Sequence, residues 1–312
     1  MDLRQLRYFV AVAESGHITR AAQTLGLQQP PLSQQIRVLE GEIGAALFSR
    51  HPKGVTLTAA GRELLPLARR QLQGLDALRA HMHQVARGQR GVLSVGFTSS
   101  AAAHGYTPAL LRDCRREHPN IELRLSEGNA AELTQAVTVG TLDCALLRAP
   151  VGRPDGLVFE TLLSEPALLA LPIDHPILRH HGPRRAVPLA ELQGQRLILV
   201  RRPGAPGLYA NLLARLQQRG IDVEVVAEVE RMITNLNLVA AGVGVSLVPA
   251  SMQGLHPEAV AFRRLPPADT IEAPLTLVVR ADEQVGVLAT FCALARRAAS
   301  RQRARRPLGA PR

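Results

Sequence analysis

The sequence predicts an α+β protein: a small helical unit at the N-terminus, one long helix, and a larger α/β unit. Three observations carry this. Apolar residues recur at helical spacing, with glycine and proline punctuation, over roughly the first 60 residues. They recur at close to coiled-coil spacing over residues 59–87, and from Val92 onward strand-like and helix-like segments alternate. The 312 residues are 46% apolar and 20% charged, enough for two or three units with their own cores, which excludes disorder as the dominant state. No apolar run reaches the roughly 18 residues of a membrane span, so no membrane partner is expected. Met1-Asp2-Leu3-Arg4 does not open a secretory signal, so the chain reads as cytoplasmic. Cys114, Cys144 and Cys292 are odd in number and far apart, which suits reduced, buried thiols.

Leu6, Phe9, Val10 and Ala13 place one apolar face on a first helix, ended by Gly16. A second short helix covers 19–25 and closes at Gly26, a position suited to a left-handed cap. Pro30 and Pro31 open a third, where a missing N–H costs nothing. Its inward stripe is Leu32, Ile36, Leu39 and Ile43, and its outer face is Gln29, Ser33, Gln34 and Arg37. Residues 48–54 read as a basic turn and 55–58 as a strand-like segment. The long helix 59–87 carries Leu64, Ala68, Leu72, Leu75, Leu78, Met82 and Val85 on one seam. Its Pro66 is expected in the first turn or at a kink. A break at 88–91 marks the boundary.

Beyond it, strands are predicted at 92–97, 121–125, 143–147, 168–171, 196–200, 223–229, 244–248 and 275–280. Helices are predicted at 108–117, 131–139, near 208–219, at 235–241 and at 285–297. Two α/β subdomains fit this count better than one large sheet.

The net charge of +11 is unevenly spread. Residues 1–88 carry 11 Lys+Arg against 6 Asp+Glu, residues 89–295 carry 19 against 20, and residues 296–312 hold 7 Arg and no acid. The last stretch reads as a solvated or disordered tail, so the N-terminal excess must be judged by its pattern. Two short helices joined by a Gly-containing turn form a helix-turn-helix whose second helix turns a polar face to a major groove. The Gln29 amide can pair bidentately with adenine, and Ser33 and Gln34 are within reach of a base edge or phosphate. Arg37 and Arg50 suit phosphates. Lys53, the only lysine in the chain, sits at the tip of the basic turn and suits a minor-groove wing. Amphipathic helices alone would equally describe a small core with solvated faces. Spacing, caps and wing together favour double-stranded DNA as partner.

Residues 1–65 resemble the winged helix-turn-helix of LysR-type transcriptional regulators. The likeness rests on Leu6-Arg7-Tyr8-Phe9, Thr19-Arg20-Ala21-Ala22, Gln29-Pro30-Pro31-Leu32-Ser33-Gln34-Gln35-Ile36-Arg37, Gly44-Ala45-Ala46-Leu47-Phe48 and Leu57-Thr58-Ala59-Ala60-Gly61. Gln34 stands where the family commonly has Arg, and Gln28 where it has small residues, so relatives do not give the operator sequence. The likeness continues to about residue 295 through His118-Pro119-Asn120-Ile121, Gly140-Thr141-Leu142-Asp143 and Gly242-Val243-Gly244-Val245-Ser246-Leu247-Val248-Pro249.

The resemblance implies a DNA-binding domain at 1–58, with Pro30 and Pro31 opening its recognition helix, and a dimerising linker at 59–88. It implies an effector-binding domain at 89–295 with the architecture of a periplasmic binding protein. Subdomain I would cover about 92–150 and 270–295, subdomain II about 160–265, with chain crossings near 149–159 and 265–273. In pattern it resembles regulators that sense aromatic or other small organic acids, act as dimers assembled into homotetramers, and have RNA polymerase as a further partner.

Ligands in such folds sit at the carboxyl ends of strands. There Ser99 and Ser100 offer hydroxyls, and Ser100 and Asn129 match positions where acid-sensing relatives contact their effectors. Arg148 is a charge partner for a carboxylate. Pro206 lies in a Gly-containing turn before a helix N-terminus, and Met232 and Val245 supply apolar wall. Each has a plainer reading: Ser99 as a turn residue, Asn129 as a helix N-cap, Arg148 as a surface ion pair. No nucleophile elbow, phosphate loop or paired-cysteine metal motif occurs, so neither an enzyme nor a cofactor or metal is expected. A solute-binding protein does not account for the attached helix-turn-helix. A C-terminal domain that only oligomerises is the remaining alternative.

Overall fold

The first helix, α1 (Leu3–Ser15), starts from a reciprocal cap. The Asp2 carboxylate accepts the Gln5 N–H at 2.7 Å, and the Gln5 side chain accepts the Asp2 N–H at 2.8 Å. Its face of Leu6, Phe9 and Val12 packs against α2 (Ile18–Thr24) and α3 (Gln29–Ile43). Gly26, at φ +66°, makes the left-handed turn between the last two. Leu32, Ile36 and Leu39 are buried as expected. Ile43 is 38% exposed, because the helix ends there and Gly44 turns the chain away from the core.

Residues 48–51, expected as part of a turn, form strand β1 (Phe48–His51), paired antiparallel with β2 (Gly54–Leu57). The turn proper shrinks to Pro52 and Lys53. Glu40 ties this wing to α3 by accepting the N–H groups of Leu47 at 2.8 Å and Phe48 at 3.2 Å. Thr58 then starts α4 (Ala59–Ala86), its hydroxyl accepting the Gly61 N–H at 3.0 Å. Any Cβ at Gly61 would collide with the Leu47 carbonyl, so wing and helix approach closely only with glycine there. Pro66 lies past the first turn inside α4, which continues through it; the N–H it lacks would have met the Arg62 carbonyl.

The structure describes residues 1–148, 154–182, 185–200, 207–282 and 285–305, which fall into two units, Met1–Gln84 and Val85–Arg312. In the second, β3 (Gly91–Phe97) leads through α5 (Ser99–Ala103) and α6 (Tyr106–Glu117) to β4 (Ile121–Glu127), α7 (Ala130–Thr138) and β5 (Cys144–Leu147). The long β6 (Leu157–Pro172) follows, then α8 (Ile177–His180), β7 (Arg196–Val200), α9 (Gly207–Gln218), β8 (Glu224–Val229), α10 (Met232–Ala240) and β9 (Ser246–Pro249). β10 (Val260–Arg264), β11 (Glu272–Arg280) and α11 (Gly286–Arg305) complete the described chain.

Subdomain I is a sheet in the order β4-β3-β5-β11-β6, parallel through β4, β3 and β5. Leu93, Val95, Tyr106, Leu110 and Phe291 form one core under α6 and α11, while Leu133, Val137, Leu147 and Val278 form another under α7. Subdomain II joins the far end of β6 to β9 and β10, with parallel β7 and β8 beside β9. Its cores lie under α9, around Tyr209 and Leu212, and under α10, around Leu236 and Val239.

Three expectations change. The first crossing is one continuous strand: β6 pairs with β11 as far as Pro166 and with β9 and β10 from Ala167 on. Pro166, which has no N–H to donate, stands where the partner switches. The crossing thus lies beyond the expected 149–159, of which residues 149–153 are outside the described residues. Residues 296–305, expected as a solvated or disordered tail, continue α11 instead. Arg296 pairs with Glu160 at 2.8 Å, Arg301 with Asp113 at 3.2 Å, and Arg297 with Glu117 at 3.5 Å. Third, the strand expected at 168–171 is only the end of β6; earlier in it Leu162 is the extra residue of a bulge, and Arg303 donates to its carbonyl and to that of Thr161.

The three cysteines are buried and free. Burial pushes the Cys292 thiol up to about 11 and the Cys144 thiol well above its ordinary range. Among the described residues no helix is long and apolar enough to cross a membrane.

Arg303→Ala strands a buried bulge carbonyl and is expected to cost about 1–3 kcal/mol in urea unfolding. Arg301→Ala breaks only a partly exposed ion pair and is expected to cost about 1 kcal/mol or less.

Candidate functional site

On α3, Gln28, Gln29, Pro30, Pro31, Gln34 and Arg37 are exposed, and so are Arg50 and Lys53 on the wing. Ser33 is not part of that face. It is 8% exposed, and its hydroxyl has no hydrogen-bond partner among the described residues. The cause is its position one residue after Leu32, at the edge of the buried stripe.

On α4, Leu64, Ala68 and Leu72 pack on the core of their own unit. Leu78, Met82 and Val85 stay 57%, 55% and 39% exposed. The first half of the seam thus closes the winged helix-turn-helix, and its second half stays largely exposed.

Where β5 and β6 meet the turn after β9 lies a buried ion pair. Arg148, at the end of β5, lies 2.5 Å from Glu165 on β6, and both are nearly fully buried. The guanidinium also donates to the Ser100 carbonyl at 2.9 and 3.2 Å, to the Ser251 hydroxyl at 2.7 Å and to the Ala273 carbonyl at 3.4 Å. Glu165 accepts the Ser251 N–H at 2.9 Å, and the His104 ring lies 4.0 Å from it. Burial pulls the Arg148 guanidinium below its ordinary range, and Glu165 opposes that shift. Arg148 was expected as the effector's charge partner or in a surface pair. It is not in a surface pair: its partner Glu165 neutralises it out of solvent.

Ser100 is 5% exposed, its hydroxyl 3.3 Å from that of Thr98, which caps α5 by accepting the Ala101 N–H. Ser99 is half-buried at the first turn of α5. Asn129 caps α7 reciprocally with Glu132: its side-chain oxygen accepts the Glu132 N–H at 2.9 Å, and its own N–H donates to the Glu132 carboxylate at 3.0 Å. The start of this helix therefore already holds a carboxylate of the chain.

The Asn129 amide reaches across to Glu230 at 3.3 Å, and beside it Arg231 donates to Glu127 at 3.1 Å. Met232 is 7% exposed in the core under α10, near the Asn235 amide, so most of its side chain is packing rather than crevice wall. Val245 is likewise buried. Pro206 lies outside the described residues. Among the described residues no group of three or more His, Cys, Asp or Glu is placed to hold a metal ion.

Residues 3–62 match the family described as bacterial regulatory helix-turn-helix protein, lysR family, and residues 86–300 match the LysR substrate binding domain. The chain belongs to the LysR family of transcriptional regulators. It is similar to the HTH-type transcriptional regulator BudR of Raoultella terrigena, 38% identical over 252 residues, or 81% of this chain and 86% of BudR. Its fold is similar to the crystal structure of CbnR, a LysR family transcriptional regulator. That likeness has a TM-score of 0.80 and 30% identity over 95% of this chain and all of CbnR. Full-length CbnR complexed with its target DNA gives a TM-score of 0.77 and 29% identity, over 96% of this chain and 100% of that one. This LysR-type regulator is thus a DNA-binding protein with an effector-binding domain, and its family and relatives are regulators rather than enzymes.

Sequence reasoning missed Glu165, Ser251 and His104 around Arg148, and Glu127, Glu230 and Arg231 at the mouth. None lies in a motif, and their partners come from other elements. In this regulator Arg148→Met, which leaves Glu165 buried without its cation, is expected to cost about 3–5 kcal/mol in thermal unfolding. The double variant Arg148→Met/Glu165→Leu should recover most of that loss, whereas a loss equal to the sum of the two single-variant losses would mean the side chains act independently.

Proposed function

We propose that this regulator works in the cytoplasm, binding an interrupted dyad in double-stranded DNA as a homodimer that assembles into a homotetramer. A small carboxylate-bearing organic acid, held in the crevice, changes the arrangement of the DNA-binding units and so their engagement with RNA polymerase. The observation that carries the reading is the exposed row Gln29, Gln34, Arg37 on α3 with Lys53 on the adjoining wing, in a chain that also has a polar crevice.

Gln29 reads a base edge from the start of the helix and Gln34 adds a second amide donor set. Arg37, Arg50 and Lys53 meet phosphates or the minor groove, while Pro30 and Pro31 fix the approach of the helix. Ser33 supports that helix from its buried side. In the crevice Ser99, Ser100 and Asn129 supply neutral donors, and Arg148 positions Ser100 rather than meeting the acid. The exposed half of the α4 seam supports dimerisation, since contiguous exposed apolar side chains at coiled-coil spacing bury readily against a second copy.

Footprinting on DNA upstream of the regulator's own gene, with and without benzoate, tests the whole reading. An acid-dependent change in the protected stretch is expected. Gln29→Ala should weaken binding to the specific site by about 1–3 kcal/mol and leave random DNA nearly unaffected. Lys53→Ala should weaken both and lower the salt slope by about one unit. In sedimentation, Leu78→Asp should dissociate the dimer at moderate concentration. Leu72→Asp should instead unfold the winged helix-turn-helix, and an intact dimer for Leu78→Asp would move the interface elsewhere.

A further inference from the structure

On the reading that the crevice takes a carboxylate-bearing effector, we propose that Glu230 is a built-in carboxylate for Asn129. It closes the crevice mouth through a two-bridge clasp, and an anionic effector gains access by taking its place.

The clasp joins two loops from opposite subdomains. Glu127 and Asn129 lie at the carboxyl end of β4, and Glu230 and Arg231 at the carboxyl end of β8. Asn129 donates to Glu230 at 3.3 Å, and Arg231 donates to Glu127 at 3.1 Å, so adjacent residues on each loop are bridged to near neighbours on the other. Either subdomain moving away breaks both bridges together.

The chemistry of the mouth explains why a carboxylate of the chain matters. Three acids take part: Glu230 accepts from the Asn129 side-chain amide, Glu132 from the Asn129 N–H, and Glu127 from Arg231. Glu132 is held in the cap of its own helix. Glu230 is different: it arrives from the other subdomain and is the acid that subdomain movement withdraws. An incoming carboxylate competes for the same amide donor, and two carboxylates at one donor repel. When Glu230 withdraws, Arg231 leaves Glu127 with it, and a guanidinium becomes available at the rim where a negative charge has just left. Glu127 and Arg231 are 43% and 50% exposed, so the bridge between them is a solvated, easily exchanged contact. A neutral ligand meets no such competitor, which makes Glu230 a charge-selecting residue as well as a closure.

Two measurements on the full-length protein test this. The first needs no ligand: hydrogen exchange by mass spectrometry, comparing peptides over residues 126–130 and 229–233. Glu230→Ala should speed exchange several-fold in 126–130, and Glu127→Gln should do so in 229–233. Changes confined to the loop that carries the substitution would overturn the clasp. The second is calorimetry with acetate and benzoate, using acetamide and benzamide as neutral twins. Glu230→Gln should bind the acids several-fold tighter than the unaltered protein and leave the amides unchanged. An equal effect on acids and amides, or none on the acids, would overturn the competitor role. Coupled exchange with no acid binding in either protein would overturn the carboxylate reading and leave the clasp supported.

Discussion

The Arg148–Glu165 pair is the constraint around which the effector-binding domain is arranged. A buried guanidinium is tolerable only with its charge matched and its N–H groups used. Here Glu165 supplies the charge, and the remaining donors reach Ser100, Ser251 and Ala273. Those acceptors belong to α5, to the short turn after β9, and to β11. One side chain therefore ties α5 and β11 of subdomain I to the turn after β9 in subdomain II. Such pairs add little net stability over a well-packed apolar alternative; their effect is geometric. Ser100 is held where it is because its carbonyl receives two N–H groups of one planar fork.

Polarity and exposure change together from the buried pair to the mouth. Around the pair the charges are sequestered and the hydrogen bonds cross between elements with little room for rearrangement. At the mouth the bridges Asn129–Glu230 and Arg231–Glu127 lie in or near solvent. Contacts of the second kind exchange with water at small cost, while those of the first kind do not. Between the two groups of contacts lies Pro166, where β6 passes from pairing with β11 to pairing with β9 and β10. The DNA-binding unit is organised differently. Several of its polar contacts are local, such as Asp2 with Gln5, Glu40 with the wing and Thr58 with Gly61, while Arg69 ties α4 to Glu14 at the end of α1.

Local signals made the N-terminal unit legible. The left-handed Gly26, the paired prolines and the Leu32, Ile36, Leu39 stripe each act within a few residues, so sequence spacing translates directly into structure. Ser33 was misread because spacing does not resolve a residue bordering the buried stripe. The strand β6 was mostly invisible: Glu160, Thr161, Ser164 and Glu165 break its apolar pattern, and Pro166 looks like a terminator. The arginines of α11 looked solvated because Glu160, Glu117 and Asp113, their partners, are more than a hundred residues away in the chain. The pairing of Arg148 was hidden for a different reason: Glu165 is only 17 residues away, but it stands inside β6, which the sequence does not reveal as a strand. Its position at a strand end was readable, but the acid that neutralises it was not.

Lys53 has a consequence outside recognition itself. It is the only lysine among 37 basic Lys and Arg side chains, and it sits exposed at the turn of the wing. Guanidinium groups stay protonated and resist acylation, whereas an exposed primary amine does not. The chain therefore carries one side-chain nucleophile of this kind, placed at the end of the DNA-binding unit. An amine-selective reagent will address that tip and the α-amino group and leave the arginine pairs of α11 and the crevice untouched. The wing can thus carry a single chromophore without altering any other side-chain charge.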